Sequence, residues 1–156
     1  MGNYVANIIW HRNNEERFTD QKYSRVHQWN FDGGIQVTAS SSPLVVKKPW
    51  SMEEAVDPEE AFVAALSSCH MLWFLSIAAS AGFCVDHYHD AALGHMSNNI
   101  KGEMAMTRVE LNPKVSFSGK TIPTENEHLS LHHEAHRHCY LANSVLTEIR
   151  IRPELA

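Results

Sequence analysis

The most reactive side chains in this sequence are those of three cysteines, Cys69, Cys84 and Cys139. A thiolate attacks electrophiles and binds soft metals, whereas a thiol in purely apolar surroundings stays protonated and inert. The cysteines are odd in number and form no Cys-x-x-Cys pair, which argues against a secreted disulfide framework and against a zinc ribbon. Catalytic or redox use of a thiol therefore stays open, with a packed core thiol as the alternative for each.

The sequence around Cys69 predicts one long helix from Asp57 to Phe83. Asp57 and Glu60 have the spacing of a capping box, which pairs the first free amides of a helix, and Gly82 suits the helix end. On such a helix the neighbours of Cys69 at three and four residues are all apolar. A reactive Cys69 would therefore require a cation from elsewhere in the chain.

The central part of this helix, residues 61–81, has no formally charged residue and is apolar on every face. This pattern is typical of a helix that is buried on most sides. A membrane span is the rival interpretation, because the run meets the length criterion of about 20 residues. Serines and one histidine interrupt the run and no basic cluster flanks it, so we expect a core helix and no membrane partner.

A second group of reactive side chains lies between His132 and Cys139, where histidines are dense. His132 and His136 are four residues apart, a spacing that can place two imidazoles on one helix face for a metal. Cys139 could add a thiolate ligand. However, a histidine-rich solvated face needs no metal, and no second dense group of ligands occurs. We expect no metal and no cofactor, and keep metal binding by these three residues as an alternative.

The remaining sequence predicts strands and one further helix. Asp32-Gly33-Gly34 separates two of the strand patterns, which is typical of a hairpin turn. Thr124 and Glu127 open the second helix, residues 124–138, as a capping box. The predicted strands are residues 4–10, 26–31, 35–39, 83–96, 104–111, 114–117 and 144–152. This order predicts the α+β class with mostly antiparallel sheets around a long central helix, as one domain over residues 1–156.

Composition narrows the classes of partner. The 156 residues carry a formal net charge of −5, and the 13 Lys and Arg residues are scattered rather than clustered. We therefore expect no nucleic-acid partner. No signal-peptide pattern precedes the first strand, so a cytoplasmic location is expected.

Several short segments form a set that is more specific than any one of them alone. They are Asp57-Pro58-Glu59-Glu60, Ala64 to Cys69, Ala81-Gly82-Phe83, Ala135-His136-x-x-Cys139 and Ala142-Asn143-Ser144-Val145. Together they resemble the family of osmotically inducible protein C and organic hydroperoxide resistance proteins (OsmC/Ohr). The resemblance extends over nearly the whole chain and implies an OsmC-like fold in an intertwined homodimer.

The resemblance implies an organic hydroperoxide reductase, a cysteine-based peroxidase of the oxidative stress response. By position, Cys69 resembles the peroxidatic cysteine that attacks an organic hydroperoxide, and Cys139 resembles the cysteine that resolves the sulfenic acid as a redox-active disulfide. A dithiol, of the lipoyl type in part of the family, is the implied reductant. Cys84 matches no family cysteine, and we interpret it as structural.

The resemblance also implies an arginine that activates the peroxidatic cysteine and a carboxylate, matched by Glu59, that holds it. The candidates for the arginine are Arg12, Arg17 and Arg25. We favour Arg25, because it directly precedes the hairpin strand and its neighbours leave it the least solvated of the three. A guanidinium lowers a thiol pKa, and a carboxylate fixes the guanidinium in a bidentate pair.

Apolar side chains near Cys69 predict the class of substrate. Leu66, Leu72 and Trp73 would form a pocket that favours hydroperoxides with organic tails over hydrogen peroxide.

On one continuous helix Glu59 lies too far from Cys69 to share its site directly. This favours a site composed from both subunits of a homodimer. A non-catalytic binding protein with the same fold is the other alternative.

Overall fold

A computed structural model describes residues 2–156 of the chain. The chain divides into two compact units, one that ends at Ala61 and one that covers Phe62–Ala156. The expectation of a single domain over residues 1–156 stays a prediction.

The first unit is built on a three-stranded antiparallel sheet in the order β1-β2-β3. Its strands are β1 (Ala6–Ile9), β2 (His27–Phe31) and β3 (Gln36–Ala39), with a 3₁₀ turn at Phe18–Asp20 between the first two. Asn30 pairs with Gln36, so Asp32-Gly33-Gly34 forms the turn that was predicted. Gly34 has a φ of 85°, which glycine adopts without strain, and the predicted hairpin is confirmed.

The long central helix is also confirmed, as α1 (Pro58–Ser80). At its start, Asp57 Oδ1 accepts a hydrogen bond from the Glu60 amide at 2.7 Å, and Glu60 Oε2 accepts from the Asp57 amide at 3.4 Å. At its end, Gly82 has a φ of 84° and the Phe83 amide donates to the Ala78 carbonyl at 3.0 Å. The capping box and the glycine stop therefore act as predicted.

The second unit contains two three-stranded sheets and a second helix. The elements are β4 (Cys84–Asp90), β5 (Leu93–Asn98), β6 (Met104–Leu111), β7 (Pro113–Ser118), α2 (Glu125–His138), a 3₁₀ turn (Ala142–Ser144), β8 (Glu148–Ile151) and β9 (Glu154–Leu155). One sheet has the order β4-β7-β9 and the other β5-β6-β8. Among the named strands, β8 pairs with β6 in parallel and β9 pairs with β7 in parallel, while the other pairs are antiparallel. The described sheets are therefore mostly antiparallel, and the predicted α+β class is confirmed.

The predicted single strand over residues 83–96 is wrong, because the chain changes sheets at Ala91 and Ala92. Asp90 stabilises this break: one carboxylate oxygen accepts a hydrogen bond from the Asn112 amide at 2.7 Å, and the other accepts from the Ser67 hydroxyl. The last strand is also shorter than predicted: β8 covers Glu148–Ile151, and Ser144 belongs to a 3₁₀ turn.

Each sheet of the second unit has its own apolar core against α1. Leu66 packs with Val109 and Leu111 of β6, and all three are fully buried. Phe74 and Ala78, two and three turns further along α1, pack with the other sheet and with α2. By length and composition α1 could also cross a membrane, but core helices of soluble proteins meet the same test. One face of α1 packs into the two cores, as expected of a core helix, but the predicted burial on most sides is wrong, because only Leu66, His70, Phe74 and Ala78 are buried.

Strand β5 approaches α1 closely at Gly94. A Cβ atom there would lie 2.6 Å from Cγ2 of Val63 and 2.7 Å from Sδ of Met106. We expect Gly94→Ala to lower the free energy of unfolding by about 1–3 kcal/mol, because overpacking forces neighbours to move. Urea unfolding measures this loss. Gly33→Ala is the control, since its Cβ would have no atom within 4 Å. Equal stability of the two variants would contradict the close packing.

Candidate functional site

Two of the three cysteines lie together in the second unit. Cys69 is in the middle of α1 and Cys139 directly follows α2, and their thiols are neighbours. Cys139 is 1% exposed, whereas Cys69 is partly accessible. Cys84 lies apart on β4, exposed, with its Sγ 4.0 Å from Asp86 Oδ1. The arrangement therefore pairs one accessible thiol with one buried thiol.

The surroundings of Cys139 keep it protonated. Burial, together with the neighbouring Cys69 side chain, raises the pKa of the Cys139 thiol to about 11. The Ala142 amide donates to its Sγ at 3.4 Å, which is a weaker effect in the opposite direction. Near neutral pH, Cys139 is a buried thiol next to an accessible one, and this suits a residue that reacts second.

Aromatic packing fixes the end of α2 beside Cys69. The Trp73 ring lies one turn after Cys69, stacks on His138 with 5.0 Å between centroids, and meets Tyr140 edge-on at 5.4 Å. His138 and Tyr140 are the two sequence neighbours of Cys139. The same contacts that order this segment therefore hold Cys139 near α1.

The three residues predicted to form a substrate pocket have different environments. Leu66 is 1% exposed within the core, Leu72 is 60% exposed, and Trp73 is half-buried against α2. Of the three, Trp73 contacts residues next to Cys139. Their common role in binding substrate stays a prediction.

A chain of three buried imidazoles links α1 to α2. His70 Nε2 lies 3.0 Å from His132 Nδ1, and His132 Nε2 lies 3.1 Å from His128 Nε2. The three rings are at most 2% exposed. The sequence pattern indicated His132, but it did not indicate His70 and His128 as its partners. The four-residue spacing of His128 and His132 could have indicated that these two side chains meet. It could not indicate that His70 of α1 contacts His132.

The three linked histidines, His70, His128 and His132, are neutral near pH 7. Burial lowers the pKa of His70 to about 4 and that of His132 to about 2, and it also lowers the pKa of His128. A neutral imidazole donates through one nitrogen and accepts through the other. If His70 donates to His132, then His132 donates to His128, and the opposite tautomers reverse both bonds.

The hydrogen bonds among these imidazoles change the interpretation of the histidine-rich segment, residues 132–139. His132 and His136 do lie on one side of α2, where both line the same cavity. Both ring nitrogens of His132 are engaged in hydrogen bonds, so neither is free to bind a metal. Among residues 2–156, no group of three His, Cys, Asp or Glu side chains is arranged to hold a metal ion.

The predicted activating groups, Arg25 and Glu59, belong to the first unit. Arg25 is half-buried and Arg12 and Arg17 are exposed, so the expectation that Arg25 is the least solvated is confirmed. Its guanidinium donates to the Gln21 and Tyr23 carbonyls and lies 3.7 Å above the Tyr23 ring.

In the part of the chain that the structure describes, no ion pair joins Glu59 to Arg25, although both belong to the same unit. Glu59 is half-buried in the first turn of α1. The catalytic roles of Arg25 and Glu59 stay predictions.

Comparisons with known proteins agree on one family. The profile of the family described as OsmC-like protein matches residues 51–154. An OsmC-like protein of unknown function from Vibrio cholerae is 51% identical, with 100% of each chain covered and a TM-score of 0.95. No curated protein matches the sequence.

Two more distant solved structures share the fold. An OsmC-like protein from Mycoplasma pneumoniae is 14% identical, covers 99% of this chain and 98% of its own, and has a TM-score of 0.74. An organic hydroperoxide resistance protein from Elizabethkingia anophelis is 16% identical, with 100% and 96% covered and a TM-score of 0.65.

The buried histidines predict a pH dependence of stability. The folded pKa values of His70 and His132 lie below 6.5, so the unfolded chain binds more protons below that pH, and stability falls as the pH falls. Each such histidine contributes a slope of about 1.4 kcal/mol per pH unit. We expect His132→Phe to reduce the slope between pH 6 and 4.5 by about that amount in urea unfolding.

The control for this measurement is His87→Asn, which removes an exposed imidazole on β4. An unchanged slope in His132→Phe would mean that His132 is protonated in the folded protein.

Proposed function

We propose that this chain, which belongs to the OsmC-like protein family, is a thiol-dependent peroxidase that reduces organic hydroperoxides. The observation that carries the proposal is the neighbouring pair of thiols, Cys69 and Cys139, one accessible and the other buried. Such a pair supports a cycle in which the accessible sulfur is oxidised and the buried sulfur closes a disulfide. Its role in the cell would be peroxide detoxification under oxidative stress.

In the first step, the Cys69 thiolate attacks the terminal oxygen of the hydroperoxide. The O–O bond breaks as the S–O bond forms, and the alkoxide takes up a proton to leave as the alcohol. The products are Cys69 sulfenic acid and one alcohol. Cys69 is suited to this step because it is the accessible member of the pair.

In the second step, Cys139 attacks the sulfenic sulfur of Cys69. The S–S bond forms, the S–O bond breaks, and the thiol proton of Cys139 leaves with the hydroxyl group as water. Burial and the raised pKa of Cys139 make it a poor competitor for the peroxide in the first step. Proximity to Cys69 makes it effective in the second.

A dithiol reductant completes the cycle. One thiolate of the dithiol attacks the disulfide, its second thiol resolves the mixed disulfide, and both cysteines return as thiols while the reductant becomes a disulfide. A lipoyl-type dithiol is the form that the resemblance suggests. A cytoplasmic location suits this chemistry, since reducing compartments keep cysteines as thiols.

The activating groups in this proposal are Arg25 and Glu59. A guanidinium beside Cys69 would stabilise its thiolate and would orient the peroxide oxygen. Both residues lie in the other unit of the chain, so they can act on the Cys69 of their own chain or of a second copy. We favour the second copy, because Glu59 precedes Cys69 by ten positions on an unbroken helix.

The surface of α1 supports a homodimer. Leu72 is 60% exposed, and Ala65, Ser68, Ser76 and Ala79 extend the same uncharged face. Small side chains in such a stripe allow a second helix to approach closely, and an exposed apolar face of this kind is normally covered by a partner. A second copy of the chain would cover it and would bring its own Arg25 and Glu59.

The two cysteines should form a disulfide during turnover. One equivalent of cumene hydroperoxide should consume two thiols and link Cys69 to Cys139, which peptide mapping by mass spectrometry detects. Cys69→Ser should abolish peroxide consumption. Cys139→Ser should allow one turnover and then gain two or three oxygens on Cys69, because nothing protects the sulfenic acid.

Cys84→Ser is the matched control, since Cys84 is exposed and apart from the pair. It should retain both disulfide formation and turnover. A bridge that contains Cys84, or full activity of Cys69→Ser, would refute the assignment of the cysteines.

A composite site predicts complementation between two inactive variants. If Arg25 activates the cysteine of the other copy, a heterodimer of Cys69→Ser and Arg25→Ala chains keeps one intact site, and mixing should restore about half of the wild-type activity per heterodimer. Peroxide consumption after subunit exchange, with heterodimers counted by native mass spectrometry, measures this. No recovery in proven heterodimers would place Arg25 beside its own cysteine.

A further inference from the structure

Helix α2 meets α1 at two places within the second unit. At the first, the imidazole of His132 lies against that of His70. At the second, His138 stacks on Trp73. Cys139 directly follows the second place and comes about two helical turns after the first. The position of Cys139 against α1 therefore depends on both contacts.

The contact between His70 and His132 is directional. Nε2 of His70 lies 3.0 Å from Nδ1 of His132, the two ring planes differ by 10°, and the ring centroids are 5.3 Å apart. That centroid distance is near the largest that the nitrogen–nitrogen distance allows, so the rings meet edge to edge. A hydrogen bond weakens steeply when it is bent or stretched, and this one therefore favours a single setting of the two helices.

The other contacts at this crossing define the setting less sharply. Phe74 stacks on His132 with 4.1 Å between centroids, and stacked rings keep much of their contact when they slide past each other. The bond from His132 to His128 lies within α2 and joins rings whose planes cross at 87°. It engages the second nitrogen of His132, but it does not connect the two helices.

Burial makes the bond between the helices costly to lose. His70 and His132 are at most 2% exposed, so no solvent replaces a partner that moves away. A shifted α2 would leave two buried nitrogens unpaired, and such groups carry the full penalty of their desolvation. The alignment in which both rings are paired is thus favoured over its neighbours.

We infer that His70 and His132 are positioning residues for the cysteine pair, and that their hydrogen bond holds α2 where Cys139 reaches Cys69. The inference rests on the proposed function in one respect, because disulfide closure is the second step of that cycle. Neither histidine exchanges a proton or forms a bond in the reaction. Their contribution is to the effective concentration of one thiol at the other.

The test measures this effective concentration without any hydroperoxide. The full chain with Cys84→Ser is equilibrated with reduced and oxidised glutathione at pH 7.5, and the Cys69–Cys139 disulfide is trapped by alkylation and counted by mass spectrometry. Two protein thiols and one glutathione disulfide give one protein disulfide and two glutathione thiols. We expect His70→Leu and His132→Phe each to lower the effective concentration about tenfold.

The two variants remove the same bond from opposite sides, so the double variant should fall no further than either single one. A fall in His70→Leu alone would be a local effect on the adjacent Cys69 and would overturn the inference. So would unchanged values in both variants. Failure of both to fold, seen by near-ultraviolet circular dichroism, would assign the bond to the fold as a whole and would also overturn it.

Two further variants separate positioning from general loosening of the core. His70→Gln should stay within about twofold of the wild type, because its side-chain amide can replace the lost donor or acceptor. Val115→Ala opens a cavity in the core that contains Phe74, yet keeps the histidine bond, and should also stay within about twofold. An equal loss in Val115→Ala would refute a specific role of the histidines.

Consumption of cumene hydroperoxide distinguishes this inference from the proposed function. If the wild-type chain consumes none, but the glutathione equilibrium shifts in the variants as expected, the peroxidase proposal fails and the positioning role stands. If the wild-type chain is active and the variants pair their thiols as it does, the positioning role alone is refuted. A wild-type chain that forms no Cys69–Cys139 disulfide with glutathione would refute both.

Discussion

The packing of α2 against the middle of α1 is the contact on which the candidate site depends. Phe74 of α1 stacks on His132 of α2 with 4.1 Å between ring centroids, and Trp73 stacks on His138 two turns later along α2. These contacts place the end of α2 beside Cys69, and the proximity of Cys69 and Cys139 follows from them. A shift of one helix along the other would separate the two sulfurs.

The polar part of this contact is unusual for an apolar core. Three imidazoles replace side chains that could have been aliphatic, and one nitrogen of the set, His70 Nδ1, is buried without a partner among the described residues. An aliphatic contact tolerates sliding, whereas a chain of hydrogen bonds fixes the register of the two helices. We therefore regard the three histidines as positioning residues. Their burial lowers stability at low pH, and their hydrogen bonds define the alignment of α1 and α2.

The two faces of α1 differ in burial. The stripe of Leu66, His70, Phe74 and Ala78 is buried within the second unit, while the stripe of small residues around Leu72 is exposed. This explains how one helix can look apolar on every side in the sequence. One side forms the cores of its own unit, and the other is the surface that we assign to a second copy. An exposed stripe of this kind would otherwise favour aggregation.

Local signals in the sequence determined the elements that depend on a few neighbouring residues. The capping boxes at Asp57 and Thr124, the stop at Gly82 and the hairpin turn at Gly34 are such cases, since each rests on backbone groups within five positions. The alternation along β8 was also readable, because burial of one face repeats every second residue. Resemblance of motifs indicated the cysteine pair, but no local rule would have joined residues 70 positions apart.

The tertiary structure decided what depends on distant partners. The run over residues 83–96 has the pattern of one strand, and only pairing with β7 on one side and β6 on the other divides it into two. Likewise the spacing of His132 and His136 placed them on one side of α2, as predicted, but could not show that His70 and His128 would occupy both nitrogens of His132. Spacing on α2 could have indicated His128, four positions before His132, whereas the second partner, His70, comes from α1. The chemistry of this segment was therefore set in part by α1, which the segment's own sequence does not contain.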